Sequence, residues 1–315
     1  MTTAFIFPGQ GSQAVGMGAA LADASPHARE VFAEIDEALG ADLSRIMREG
    51  PAETLTLTEN AQPAIMANSI ATLRVMEREH GFDLAGQAAF VAGHSLGEYT
   101  ALCAAGALDL ATTARLLRLR GRAMQAAVPV GVGAMAAIGL DWDDAVALAA
   151  EAAEGEVCAA ANDNAPGQVV ISGHRGAVER AVALAKARKV RLAMLLPVSA
   201  PFHSVLMQPA ADAMAEALAG ADMRPPVRPV YANVTAAPVS EVEEIKRLLV
   251  AQVTGVVRWR ESVAAMADAG VDRFVEVGGK VLTGMVKRIA PDARGTSIVT
   301  VDDAASFAGS FTASP

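Results

Sequence analysis

Hydrophobic positions along this chain fall into short solid runs separated by longer stretches of helical spacing, and that alternation predicts an α/β protein. The opening AFIF, residues 4–7, has no polar interruption, as a strand buried on both faces requires, and it passes into the glycine-rich PGQGSQ. AAFVA at 88–92 repeats the theme: it ends in GHSLGEY and is followed by TALCAAGAL with helical spacing. From Leu110 to Ala127 the apolar Leu116, Leu117 and Met124 share a helical pattern with Arg115, Arg118, Arg120 and Arg122, the most basic helix in the chain.

Residues 133–196 form a self-contained pattern: strand GAMAAIGL, helix DDAVALAAEAA, strands EVCAAA and QVVIS, helix AVERAVALAKAR and strand VRLAMLL. That order is β-α-β-β-α-β, a ferredoxin-like arrangement, with Asp141 placed to cap its first helix. After Pro197 the larger rhythm resumes with a helix over 204–219, strand PVYANV, helices over 241–251 and RESVAAMADAG, strand RFVEVG, helix VLTGMVKRIA and strand TSIVTV. The closing DDAASFAGSFTASP reads as a fraying tail. The expected architecture is a hydrolase-like, mostly parallel sheet core from residues 1–127 and 197–315, with a ferredoxin-like subdomain inserted at 128–196.

Composition narrows the function. With 315 residues, 52% hydrophobic and 19% charged, the chain can bury a large core, which excludes disorder for its bulk. A net charge of −9 disfavours nucleic acid as a partner, because phosphate neutralisation drives such binding. The apolar stretch from Ala126 to Leu140 is broken by Pro129 and glycines and is shorter than the ~20 residues that span a bilayer, so no membrane segment is expected. The first residues, MTTAFIFPGQ, lack a basic region and the cytoplasm is the expected compartment. Cys103 and Cys158 have no CxxC spacing and are expected to be buried thiols, with no metal.

The sharpest chemical signal is Gly93-His94-Ser95-Leu96-Gly97, a GxSxG elbow between a predicted strand and a predicted helix. A serine hydroxyl needs a base to take its proton. Of the five histidines, His27, His80 and His174 lie in polar or helix-flanking surroundings, and His94 sits on a turn that aims its side chain away from Ser95. His203 follows an apolar strand pattern and opens a helix, where α/β active sites are built, so it is the expected base. The carboxylates between Ser95 and His203 look like caps or helix faces. A dyad is therefore expected, with a carbonyl rather than a third acid orienting the imidazole.

FPGQGSQ at 7–13, GHSLGEY at 93–99, LRGRAMQ at 119–125, APFH at 200–203 and EVGGKVLTG at 276–284, in this order, make the chain resemble the malonyl-CoA:acyl carrier protein transacylases over essentially its whole length. The resemblance implies that Ser95 is acylated by malonyl-CoA, that His203 is the base and that Arg120 pairs with the free malonyl carboxylate. It makes the backbone of Gln10 the oxyanion donor that joins the Leu96 N–H, and gives Gln252 the carbonyl that orients the histidine. Asn162, His94 and Gln62 match positions near the pocket, although a turn-forming Asn162 and a surface Gln62 are equally good readings. Phe202 resembles the malonyl-preferring members, while Val256 and the EVGGK turn depart from the family's proline-containing pattern. Malonyl-CoA and acyl carrier protein are the implied partners, with the phosphopantetheine carried by the carrier; no resident cofactor and a monomer are expected. That carrier is acidic, so a basic dock is expected among Lys186, Arg188, Lys189, Arg191, Lys280, Lys287 and Arg288. Two rivals use the same residues: a thioester hydrolase in which Arg120 is dispensable, and a carrier-binding scaffold without chemistry.

Overall fold

Thr3–Phe7 forms strand β1, and all of its residues are buried. The period-2 alternation of a strand divides them: Phe5 and Phe7 enter one core, while Ala4 and Ile6 enter another with Trp259, Phe274 and Leu282. A strand that feeds two cores must lie inside a sheet with helices on both faces, and β1 does. In the computed structural model, which describes residues 1–198 and 200–312, the further strands are β2 (Ala88–Gly93), β3 (Gly133–Ile138), β4 (Cys158–Ala165), β5 (Gln168–His174), β6 (Ala193–Leu195), β7 (Val230–Ala232), β8 (Ala237–Val239), β9 (Arg273–Val277) and β10 (Arg294–Ile298).

The larger sheet has the order β10-β9-β1-β2-β7-β8. Its first four pairings are parallel, with Phe7 opposite Gly93 and Phe5 opposite Val275, and only β8 at the edge runs antiparallel. This is the expected mostly parallel core. Parallel strands bring their carboxyl ends to one edge, where the loops after β1 and β2 meet.

The smaller sheet is antiparallel in the order β4-β5-β3-β6, which is the ferredoxin-like order for a βαββαβ unit. The Trp142–Ala153 and Arg175–Ala187 helices cover it through Leu148, Ala149, Val178 and Ala181, packed on Ala136, Ile138 and Ile171. Asp141 does occupy the N-cap position, but its side chain makes no cap bond there; Oδ1 instead accepts from the Gly167 N–H at 2.8 Å across the β4–β5 turn. The smaller sheet meets the rest of the chain where Asn162 bridges Val257 and where the buried Asp163 receives a forked pair from Arg260 of the Trp259–Asp268 helix.

Two expectations are corrected. The closing segment is not a fraying tail: Val301–Thr312 is a helix, while residues 313–315 lie outside the described residues. Its small residues hid an apolar stripe of Ala304, Phe307 and Ala308, and Phe307 stacks edge-on to Phe5 with centroids 6.1 Å apart. Thr300 and Asp303 start it reciprocally, each side chain accepting from the other's backbone N–H. The cysteines are free but only partly buried; even so, burial pushes the Cys103 thiol up to about 12 and the Cys158 thiol up to about 11. No helix among the described residues is long and apolar enough to cross a membrane.

Candidate active site

Ser95 sits between the end of β2 and the helix Leu96–Ala104 with φ 55° and ψ −110°, a strained left-handed conformation for a residue with a Cβ. The flanking glycines make so sharp a corner possible. A Cβ on Gly93 would lie 1.9 Å from the Gly97 carbonyl carbon, and one on Gly97 would lie 2.3 Å from the Phe7 oxygen of the neighbouring strand. Asn233, just past β7, then holds the corner from outside: its Oδ1 accepts the Ser95 N–H at 2.7 Å and its Nδ2 donates to the Gly93 carbonyl at 2.7 Å.

Ser95 Oγ lies 2.8 Å from His203 Nε2, and His203 Nδ1 lies 2.9 Å from the backbone oxygen of Gln252. A carbonyl can only accept, so Nδ1 carries the proton and Nε2 is left as the acceptor of the serine O–H. No carboxylate intervenes, and the structure thus has the dyad geometry with Gln252 as orienting carbonyl. His203 is buried, and burial, reinforced by the Arg120 guanidinium and opposed by the Gln252 carbonyl, pushes its pKa down to about 3. The ring is therefore neutral when a base is needed. Because the folded protein holds this histidine below its ordinary 6.5, the stability present in full above pH 6.5 drains away as pH falls toward about 3. His203 ring resonances are expected to stay those of a neutral Nδ1–H imidazole from about pH 8 to about pH 5 in NMR of histidine-labelled protein, and a titration centred near 6.5 would refute this.

Arg120 is 1% exposed. Its Nη1 donates to Gln62 Oε1 at 2.8 Å, and its Nη2 donates to Gln252 Oε1 at 2.8 Å and to Ser95 Oγ at 3.1 Å. The Tyr99 ring lies 5.7 Å from the guanidinium carbon. The other arginines of that helix turn elsewhere: Arg122 pairs with Glu59 at 2.6 Å, Arg118 lies 4.0 Å from the same carboxylate, and Arg115 donates to Thr112. Gln62 is buried under Arg120 and touches Met124 Sδ, so the surface reading of this residue does not hold.

A cavity of about 340 Å³ opens onto these groups. Gln10 and Leu96 line it beside Ser95, as do Asn162 and Phe202 from the insertion and the segment after it. His94 lines it too, but its ring bonds Asn164 Oδ1 through Nε2 at 2.8 Å and packs 5.8 Å from Trp259, turned from the serine as its place on the elbow suggested. The proposed docking residues Lys186, Arg188, Lys189, Arg191, Lys280, Lys287 and Arg288 are all exposed; Arg188 is paired with Glu151, and Arg288 bonds Gln168 and the Pro166 carbonyl.

Sequence reasoning missed two buried groups beneath the site. Asn233 is one. Glu98 is the other, 2% exposed, with Oε2 accepting from the Asn233 N–H and from Gln252 Nε2, both at 2.9 Å. Burial raises its pKa to about 7 against those hydrogen bonds and the charge of Arg120. A lone acid in the apolar LGEYTALCA helix was the available signal.

The chain can therefore generate a serine nucleophile beside a buried cation. Comparison with known proteins agrees with that chemistry. The profile of the acyl transferase domain family matches residues 4–290. The malonyl CoA-acyl carrier protein transacylase of Escherichia coli K12 is 50% identical over 288 residues, covering 91% of this chain and 92% of that one. The solved acyl-carrier-protein-S-malonyltransferase of Bartonella henselae is 51% identical and superposes with a TM-score of 0.96 over 99% of this chain and 100% of its own. A second solved structure, a type II PKS acyl-carrier protein in complex with its malonyl-transacylase, is 41% identical, with a TM-score of 0.94 over 98% of this chain and 100% of that one.

Proposed function

Because the chain belongs to the acyl transferase family of malonyl CoA-acyl carrier protein transacylases, we propose that it moves the malonyl group of malonyl-CoA to the pantetheine thiol of an acyl carrier protein through a malonyl-Ser95 intermediate. His203 Nε2 takes the Ser95 proton as Oγ attacks the thioester carbonyl. The tetrahedral oxyanion rests on the Leu96 and Gln10 amides, and on its collapse the CoA sulfur leaves with the proton from His203. The carrier thiol then gives its proton to His203, attacks the malonyl ester and regenerates Ser95. Arg120 binds the malonyl carboxylate, while Asn162 and His94 shape the pocket wall.

The observation that carries this reading is the buried guanidinium 3.1 Å from the nucleophile, whose hydrogen-bond partners are all neutral. Among the described residues no carboxylate hydrogen-bonds it, so a substrate carboxylate can supply two charge-assisted hydrogen bonds to a fork that otherwise meets only neutral groups. A hydrolase of neutral acyl groups has no use for that charge.

On the same reading residues 1–127 and 197–315 form the catalytic part and 128–196 the insertion, and the exposed lysines and arginines named above meet the acidic carrier. The protein works in the cytoplasm as a monomer, needs no resident cofactor and supplies malonyl units to fatty acid synthesis. Intact-mass measurement after mixing with malonyl-CoA is expected to show one malonyl adduct. Peptide mapping should place it on Ser95, and addition of holo carrier protein should discharge it. Discharge to water as fast as to the carrier thiol favours the hydrolase, and the absence of any adduct favours a scaffold.

A further inference from the structure

The Glu98 carboxyl takes no part in the chemistry above, yet it is held in the first turn of the Leu96–Ala104 helix, where the positive helix end favours an anion. One of its oxygens, Oε2, accepts both the Asn233 N–H and a Gln252 Nε2–H at 2.9 Å. The other N–H of the same amide goes to the Ser95 carbonyl at 3.0 Å. Neither oxygen has a proton to give, so the amide must turn its NH2 toward them and its Oε1 away. Oε1 then meets Arg120 Nη2, the nitrogen that also reaches Ser95 Oγ. With the ends exchanged, oxygen would face oxygen at Glu98 and at Ser95, and NH2 would face the guanidinium.

We infer that Glu98 is a positioning residue for acyl-group selection: its Oε2 fixes which end of the Gln252 amide meets Arg120, and so holds the guanidinium against the Ser95 hydroxyl. The inference rests on the malonyl-serine reading above. Gln252 thereby serves two partners, its backbone carbonyl orienting His203 and its side chain orienting Arg120. The acceptor role survives protonation of the carboxyl, since the proton can sit on Oε1.

The test compares malonyl-CoA with acetyl-CoA, a matched donor without the far carboxylate, as the rate of Ser95 acylation followed by intact mass. Loss through Asn233 and the elbow slows both donors alike, whereas loss through Gln252 and Arg120 slows malonyl alone. The malonyl-to-acetyl ratio is expected to fall about tenfold or more in Glu98→Ala, and also in Glu98→Asp, which keeps the charge but withdraws the oxygen by one methylene. Glu98→Gln is expected to stay within about threefold of wild type, because a carboxamide oxygen can take the place of Oε2. In an Arg120→Ala background, Glu98→Ala should change the ratio no further. Should Glu98→Ala fail to fold, the Asp and Gln variants carry the comparison. An unchanged ratio in Glu98→Asp, or an equal fall in Glu98→Gln, overturns the inference. Wild-type protein that takes no malonyl group at Ser95 overturns the functional reading instead.

Discussion

His203→Ala should slow malonylation of Ser95 by about 10⁶-fold while leaving the protein folded, the order of loss seen when the base of a serine mechanism is removed. The magnitude follows from the geometry. Among the described residues Ser95 Oγ has one proton acceptor within hydrogen-bond reach, Nε2 at 2.8 Å, and burial keeps that nitrogen unprotonated at neutral pH. Without the imidazole the attacking group is a neutral alcohol with a guanidinium donating to it, an arrangement that lowers nucleophilicity further. The elbow does not depend on the ring, because Asn233 and the two glycines hold it. Rapid-quench intact mass would measure the acylation rate and circular dichroism the fold. A loss smaller than about tenfold in a folded variant would mean that another group takes the proton.

Arg120→Ala should cost malonyl-CoA about 10² to 10⁴ in acylation rate, from two charge-assisted hydrogen bonds worth about 1.5 to 3 kcal/mol each. Acetyl-CoA should lose about tenfold at most, since its methyl end asks nothing of the guanidinium. Arg120→Lys should recover only part of the malonyl rate, because an ammonium cannot bridge Gln62, Gln252 and a carboxylate with one planar fork. Removing this side chain also leaves the buried Gln62 and Gln252 oxygens without their donor and opens a cavity, so thermal stability is expected to fall in Arg120→Ala as well. If both donors slow equally, Arg120 supports the pocket and does not select its ligand.

Much of this site is legible in the sequence because its chemistry is carried by local signals. The elbow needs two glycines at fixed spacing around Ser95, and the strand before it is an unbroken apolar run. The choice of Arg120 among four arginines came through the family resemblance, and the structure agrees with it, since Arg120 shares a buried stripe with Leu117 and Met124. What stayed hidden depends on contacts far apart in the chain. Glu98 meets Asn233 across 135 positions and Gln252 across 154, and no window of sequence shows such pairs. The closing helix was missed for a different reason, since alanine and serine mask a stripe whose largest buried side chain, among those described, is Phe307.

Strand β1 lies between β2 and β9, pairing residues near position 5 with residues near 90 and near 275. A ribosome delivers that first strand long before its last neighbour exists. The nascent chain carries AFIF without its β9 neighbour until residues 273–276 have been made. Chains truncated before residue 273 therefore lack the partner that locks their own beginning in place.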